Sequence, residues 1–176
     1  MSERVKTLHF VTSVTTRSEA PPEVVYETVT DLSAHLEWSG ERASDDDFKL
    51  LELDAPPGNA GVGTAFTSVG ANFNGTFRDR SVVTEAAPPN VFVIETDSRL
   101  ERTRGKPWHV EFRHRYDIKA DGTGSLITYT DATRHMNYVP YWLHPLIRPL
   151  TRRAIHKADT KQLENLARLA EERWAR

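Results

Sequence analysis

From residue 48 to residue 135 the chain strings together six strand-like segments with only turn chemistry between them, and that run constrains every other choice the fold can make. FKLLELD, GVGTAFTSVG, NGTFRDRSVVTEA, VFVIETDSRLERTR, PWHVEFRHRYDIKA and GSLITYTDATRH are rich in β-branched and aromatic residues, and Pro56-Pro57-Gly58 and Pro88-Pro89 stand where turns are required. Consecutive strands with no crossover helix between them pair antiparallel, so the segments predict a meander. An earlier run, KTLHFVTSVTTR, adds a first strand ending near Ser18. Pro21-Pro22 then open EVVYETVTDL, where Val25, Val29 and Leu32 recur at helical spacing and the prolines sit where a missing N–H costs least. SAHLEWSG, with Ser33 as its cap and Gly40 as its stop, predicts one or two further turns. Asp45-Asp46-Asp47 reads as a solvated loop in preference to a metal site, because three consecutive carboxylates point different ways. From about Pro145 to Trp174 the period changes. Leu150, Ala154, Ala158, Leu163, Leu166 and Ala170 recur every three to five residues among Arg, Lys and Glu, which predicts one long amphipathic helix whose apolar stripe must lie on the sheet.

At 176 residues the chain is expected to form one domain spanning 1–176. Its 38% hydrophobic and 27% charged residues place it with globular chains and away from disordered ones. With no Cys, disulfide frameworks, thiolate nucleophiles and Cys-based metal centres are excluded, and no metal or other cofactor is expected. The formal charge of −2 supplies no general attraction for nucleic acid, so no nucleic-acid partner is expected. No apolar run approaches the ~20 residues that cross a bilayer, and Met1-Ser2-Glu3-Arg4 leads into a strand-like pattern, so a cytoplasmic location is expected.

Alternation within the strands predicts which side chains share a face. If the hairpin around Gly105 pairs Trp108 with Arg102, then Glu95 meets Arg115, Asp97 meets Arg113 and Arg99 meets Glu111 on the wet face. The inner face then carries Phe92, Ile94, Thr96, Ser98 and Leu100 on one strand and Trp108, Val110, Phe112, His114 and Tyr116 on the next. Polar groups on such a face need partners. On ITYTDATRH the expected inward set is Ile127, Tyr129, Asp131 and Thr133, which brings His114 near Tyr129 and Asp131; an offset of one residue would turn Thr128 and Thr130 inward and leave Asp131 on the surface. His114 is then a core histidine bonded to Tyr129, a ligand contact, or an acid/base group, with Tyr129 and Asp131 as its candidate catalytic partners.

Arg78 and Arg80 are expected to extend the outer charge ladder, with a cavity arginine as the alternative. The connection RHMNYVPYWLHPLIRPLTRR crowds Met136, Tyr138, Tyr141 and Trp142 either as a cap on the core or as a lid over a cavity mouth. Arg148, Arg152, Arg153, His156 and Lys157 make a basic stretch beside it, read as a solvated helix face or as a transient membrane contact. GNAGVGTAF lacks the Gly-Lys-Ser/Thr ending and the strand–turn–helix setting of a phosphate loop, so Gly61 and Gly63 mark a bend or tight entry. No Gly-x-Ser-x-Gly or His-Glu-x-x-His occurs, and the seven His are scattered.

Taken together, APPEVVYETVTDLSAHLEW, GVGTAFTSVG, VVTEAAPPNVFVIETDS, HRYDIKADGTGSLITYT and QLENLARLAEE, spanning about residues 6 to 172, resemble the START-like, helix-grip (SRPBCC) superfamily and, within it, the polyketide cyclase/dehydrase and lipid-transport group. The resemblance implies an α+β helix-grip fold: a curved antiparallel sheet of six to seven strands wrapped around a long C-terminal helix, with two short helices after strand one. It also implies a hydrophobic cavity between sheet and helix. The expected function is binding of a hydrophobic or amphipathic small molecule, lipid or polyketide-like, against Phe92, Ile94, Thr96, Trp108, Val110, Phe112, His114, Tyr116, Tyr129, Tyr141 and Trp142. Two alternatives stand beside it: a cyclase/dehydratase-type enzyme using His114, Tyr129 and Asp131, and a partner-binding module using the basic, aromatic segment. Oligomeric state is left open by the pattern.

Overall fold

The computed structural model describes residues 9–43, 48–72, 75–102, 105–136 and 143–176, so Asp45-Asp46-Asp47, Tyr138, Tyr141 and Trp142 lie outside the described residues. Its strands are β1 (Phe10–Ser18), β2 (Lys49–Asp54), β3 (Ala65–Asn72), β4 (Gly75–Ala87), β5 (Val91–Arg102), β6 (Trp108–Asp121) and β7 (Gly124–Met136). They form one antiparallel sheet in the order β1-β7-β6-β5-β4-β3-β2, a meander closed at one end by the first strand. Helix α1 (Pro22–Thr30) follows β1, then a 3₁₀ turn (Leu32–Ala34) and a π-helical turn (Glu37–Glu41); α2 (His144–Trp174) ends the chain. This is the α+β helix-grip architecture.

Alternation decides the two faces. In β1 buried and exposed positions alternate from Phe10 to Thr15, and β7 turns Ile127, Tyr129, Asp131 and Thr133 inward while Thr128 and Thr130 stay on the outer face. The helices cover the inner face. Val25, Val29 and Leu32 meet Leu163, Leu166, Leu169 and Ala170 of α2 and Phe92, Ile118 and Ile127 of the sheet in one core. Polar ties fix the register of α2 against its neighbours: Ser18 Oγ donates to the Ala167 carbonyl at 3.3 Å, and Asn165 Nδ2 donates to the carbonyls of Trp38 at 3.2 Å and Arg42 at 3.1 Å. Arg173 donates to Asp31 at 3.0 Å.

Three expectations are corrected. The β5–β6 hairpin pairs Trp108 with Leu100, two residues from the expected Arg102, so Glu95 faces Arg113 and Asp97 faces Glu111. A shift of two preserves both faces, and exposed ion pairs are worth too little to select one such register over the other. In this register Glu95 meets Arg113 directly at 3.8 Å, His109 pairs diagonally with Asp97 at 2.6 Å, Arg115 reaches across β5 to Glu85 of β4 at 2.9 Å, and the Arg102 guanidinium lies 4.1 Å over the Trp108 ring. Asp31, not Ser33, caps the turn after α1, its carboxylate accepting from the Ser33 N–H. Along α2, Leu150 is 69% exposed and Ala154 is also exposed, whereas Leu163, Leu166 and Ala170 are buried. Successive residues advance about 100° around a helix, so Leu150 stands roughly opposite Leu166, and near-regular spacing alone did not make one stripe.

Candidate functional site

Strand pairing lays the inner face out in rows that cross the sheet. One row runs Ser81, Thr96, Phe112, Thr133 and Phe10; the next runs Val83, Ile94, His114, Asp131 and Thr12; the third runs Phe92, Tyr116, Tyr129 and Val14. A sheet meant only for packing would hold aliphatic residues at these positions, yet the middle of the face is hydroxyl, imidazole and carboxyl. His114 Nδ1 and the Tyr129 hydroxyl share a hydrogen bond of 2.7 Å, and His114 stacks 5.7 Å from Phe112. The Tyr116 and Tyr129 rings lie 4.8 Å apart. The aromatic residues thus form a continuous surface from Phe112 to Tyr116.

Asp131 stands in the middle of this arrangement, 5% exposed. Its two row neighbours each direct their polar atom elsewhere. Thr12 donates to Asp159 Oδ2 of α2 at 2.7 Å, and His114 Nδ1 is engaged with Tyr129, leaving it 3.6 Å from Asp131 Oδ1. Among the described residues Asp131 Oδ1 therefore has no hydrogen-bond partner, and neither does the buried Thr133 Oγ1, whose row neighbours are Phe112 and Phe10.

Low polarity and mutual repulsion set the protonation states. Burial pushes Asp131 well above the usual carboxylate range, and the nearby Asp159 adds to it. Burial likewise pushes Asp159 up to about 6 against the opposing hydrogen bond from Thr12. His114 is held down to about 4, chiefly by burial and further by His35. Tyr129 and Tyr116 are both raised, first by burial and then by the nearby carboxyls. The cluster therefore sets a carboxyl whose surroundings favour its protonated form beside an imidazole whose surroundings favour its neutral form. A third inward carboxyl, Asp79 on β4, is pushed up to about 6 by burial despite its neighbours Ser98 and Ser68.

The face is not sealed. His114 keeps 24% of its side chain accessible, and Trp108 and Phe112 are half-buried although all three point inward. Above this part of β6, α2 is held by Ile155 against Phe10, Val110 and Phe112, while the turns before it are largely exposed. Two open grooves lie elsewhere. One of about 560 Å³ is at the β2–β4 edge beside Asp54, Phe66 and Arg80; another of about 590 Å³ separates α1 from the Pro88-Pro89 turn beside Tyr26, Glu27 and Ala60. Neither is lined by His114, Tyr129 or Asp131.

Of the residues singled out in the sequence, Phe92, Ile94, Thr96, Trp108, Val110, Phe112, His114, Tyr116, Tyr129 and Asp131 share this one face. Arg78 and Arg80 point outward, Arg78 pairing with Glu101 at 3.2 Å and Arg80 standing opposite Asp97. Sequence reading missed Asp159, because a lone acid on an amphipathic helix looks like solvated charge until its azimuth is compared with Leu163 and Leu166. It also missed Asp79, hidden between two arginines; the alternation that turns Arg78 and Arg80 outward turns Asp79 inward.

Fold and site together define a sheet-and-helix grip around a polar, aromatic-lined interior. The sequence pattern of the family described as polyketide cyclase / dehydrase and lipid transport matches residues 9–171, and the chain belongs to that family. Among proteins with curated descriptions, none matches the sequence. Solved structures share the fold at low identity. A protein of Rhizobium leguminosarum superposes with a TM-score of 0.64 at 14% identity, covering 96% of this chain and 97% of that one. A Thermus thermophilus protein superposes at 0.63 and 16% identity, covering 92% and 97%. DynU16, a putative protein of the dynemicin biosynthetic locus, superposes at 0.54 and 16% identity over 92% of this chain and 47% of its own length. Among the described residues no helix is long and apolar enough to cross a membrane.

Proposed function

We propose that this protein binds a hydrophobic or amphipathic small molecule between the inner face of the sheet and α2. The observation that carries the reading is the coexistence, on one inward face, of an aromatic surface with two buried polar atoms, Asp131 Oδ1 and Thr133 Oγ1, that nothing among the described residues satisfies. Leaving such atoms unpaired costs about 1–3 kcal/mol each, an arrangement that persists where a ligand supplies the partner. Burying a few hundred Å² of apolar ligand at about 25 cal/mol per Å² leaves enough, after ordering costs, for micromolar binding.

A cyclase/dehydratase-type reaction on a polyketide-like chain is the second reading. It is favoured by the opposite protonation preferences of His114 and Asp131, 3.6 Å apart, which would let one accept and the other donate a proton. One pair of measurements separates the two. Filling the face with His114→Trp is expected to weaken binding of the neutral dye Nile red by about tenfold or more, while the unmodified protein returns a poly-β-keto surrogate unchanged. Conversion of the surrogate that is lost in His114→Ala would replace binding by catalysis; dye affinity unaffected by the Trp would remove His114 from the site.

The exposed start of α2 is where we place a transient contact with an anionic bilayer. Leu146 and Leu150, each 69% exposed, share a helix face with Arg153 and Lys157, next to Arg152. Each cation near an anionic surface is worth about 1 kcal/mol, so Arg152→Glu with Arg153→Glu should weaken co-sedimentation with anionic vesicles by about thirtyfold or more, and added salt should do the same. Equal sedimentation of the variant would leave this segment a solvated face.

A further inference from the structure

The charge inside this fold has one sign. Asp131 and Asp159 are buried and Asp79 points inward, whereas among the described residues no Lys or Arg is buried. Thr12 brings two of these acids together: it stands opposite Asp131 in the β1–β7 ladder and donates its hydroxyl to Asp159. The groups that face the pair from the other elements are the neutral His114 and Tyr116 of β6 and Tyr129 of β7. None supplies a positive charge at neutral pH. Thr133, two positions along β7, adds an unused hydroxyl oxygen on the same face.

This surroundings discriminates between ligand head groups. A carboxylate or phosphate brought beside Asp131 would meet two carboxyls and no cation, and would have to carry a proton in with it. An alcohol can satisfy one acceptor. A protonated primary amine brings three donors and a compensating charge, and hydrogen bonds between a cation and a carboxylate are about twice as strong as neutral ones.

We propose that the ligand is an apolar molecule bearing a protonated amine, with its ammonium seated on Asp131 and Asp159 and Thr133 accepting a further hydrogen bond. This rests on the binding reading above and narrows it to a substrate class. An ammonium beside Asp131 favours its carboxylate form against the burial that favours the protonated one, so the proton that burial holds on that carboxyl leaves to solvent as the ligand enters.

Calorimetric titration of the whole delipidated chain with octylamine, octanol and octanoate at neutral pH tests it, because the three differ only in the head group. The amine should bind at least about tenfold more tightly than the alcohol, with octanoate weakest, and heats measured in two buffers of different ionisation enthalpy should show proton release with the amine alone. Asp131→Asn should bring the ratio of amine to alcohol affinity to about one. Octanoate binding as tightly as octylamine, or an amine preference that survives Asp131→Asn, overturns the proposal while leaving the binding reading in place. Failure of all three to bind overturns both.

Discussion

Asp159→Asn is expected to stabilise the ligand-free protein by about 3 kcal/mol near pH 8 and by little near pH 4. The direction follows from linkage. Asp159 titrates at about 6 in the folded chain against an ordinary value of 3.8, so its folded state holds a proton that the unfolded chain has already lost. The stability associated with that group is fully present below 3.8 and is lost as pH rises through about 6; asparagine does not titrate and avoids the loss. Its side-chain oxygen can still accept from Thr12, so the hydrogen bond at 2.7 Å survives the exchange. For a chain of this size, about 3 kcal/mol corresponds to roughly 6–12 °C in melting temperature. His114 works in the opposite sense. Held down to about 4, it is a group whose stability is present above 6.5 and is lost as pH falls through about 4. The two opposed slopes overlap between about pH 4 and 6, where Asp131 and Asp79, also raised by burial, add to the falling side, so removing the Asp159 carboxyl should make the loss of stability with rising pH shallower through that window. Thermal unfolding followed by circular dichroism at several pH values reads both effects. A variant less stable than the parent near pH 8 would mean that Asp159 is not a carboxyl strained by desolvation.

That expected gain bears on what the cluster is for. A pair of acids that destabilises the fold at neutral pH, one of them carrying an orphaned oxygen and lying two positions from the orphaned hydroxyl of Thr133, is kept against its own energetic interest, and groups of that kind concentrate where a ligand or a reaction uses them. The same residues therefore link the stability measurement to the amine titration: the change that makes the empty protein more robust should make it a poorer receptor.

Much of this was readable before any coordinates. The meander of β2 to β7 follows from consecutive strands with no helix between them, and the inward facing of Phe92 to Leu100 and Trp108 to Tyr116, with the choice of Asp131 over Thr130 as an inward residue, follows from a period of two, which survives errors in pairing. That is why the β5–β6 register could be wrong by two positions while His114 and Tyr129 were still brought together. The misses are long-range. Asp159 joins Thr12 across 147 residues of chain, and only the azimuth of α2 relative to β1 reveals it. The turn cap passed from Ser33 to Asp31 for a smaller reason: both residue types cap well, and the choice between them depends on the exact backbone path out of α1. Tyr141 and Trp142 fall outside the described residues, so their expected place over the site stands as a proposal.

The division of α2 into a gripped half and an uncovered half gives the other large effect. Leu166 is fully buried between the sheet and α1. Leu166→Ala deletes three methyl-equivalent groups from a close-packed position and leaves a cavity its neighbours can only partly fill, so it should cost about 3–4 kcal/mol. Leu150→Ala makes the same chemical change sixteen residues earlier in the same helix. Leu150 touches mainly solvent, so the expected cost is within about 0.5 kcal/mol. Denaturant titration of the two variants, with matched slopes, measures the contrast directly. A comparable loss in both would mean that the apolar stripe runs unbroken and that the start of α2 is clamped to the sheet. The predicted inequality instead leaves that start free of packing duty, which is the condition under which Leu146 and Leu150 can meet a bilayer while the face around His114 stays accessible beneath the helix.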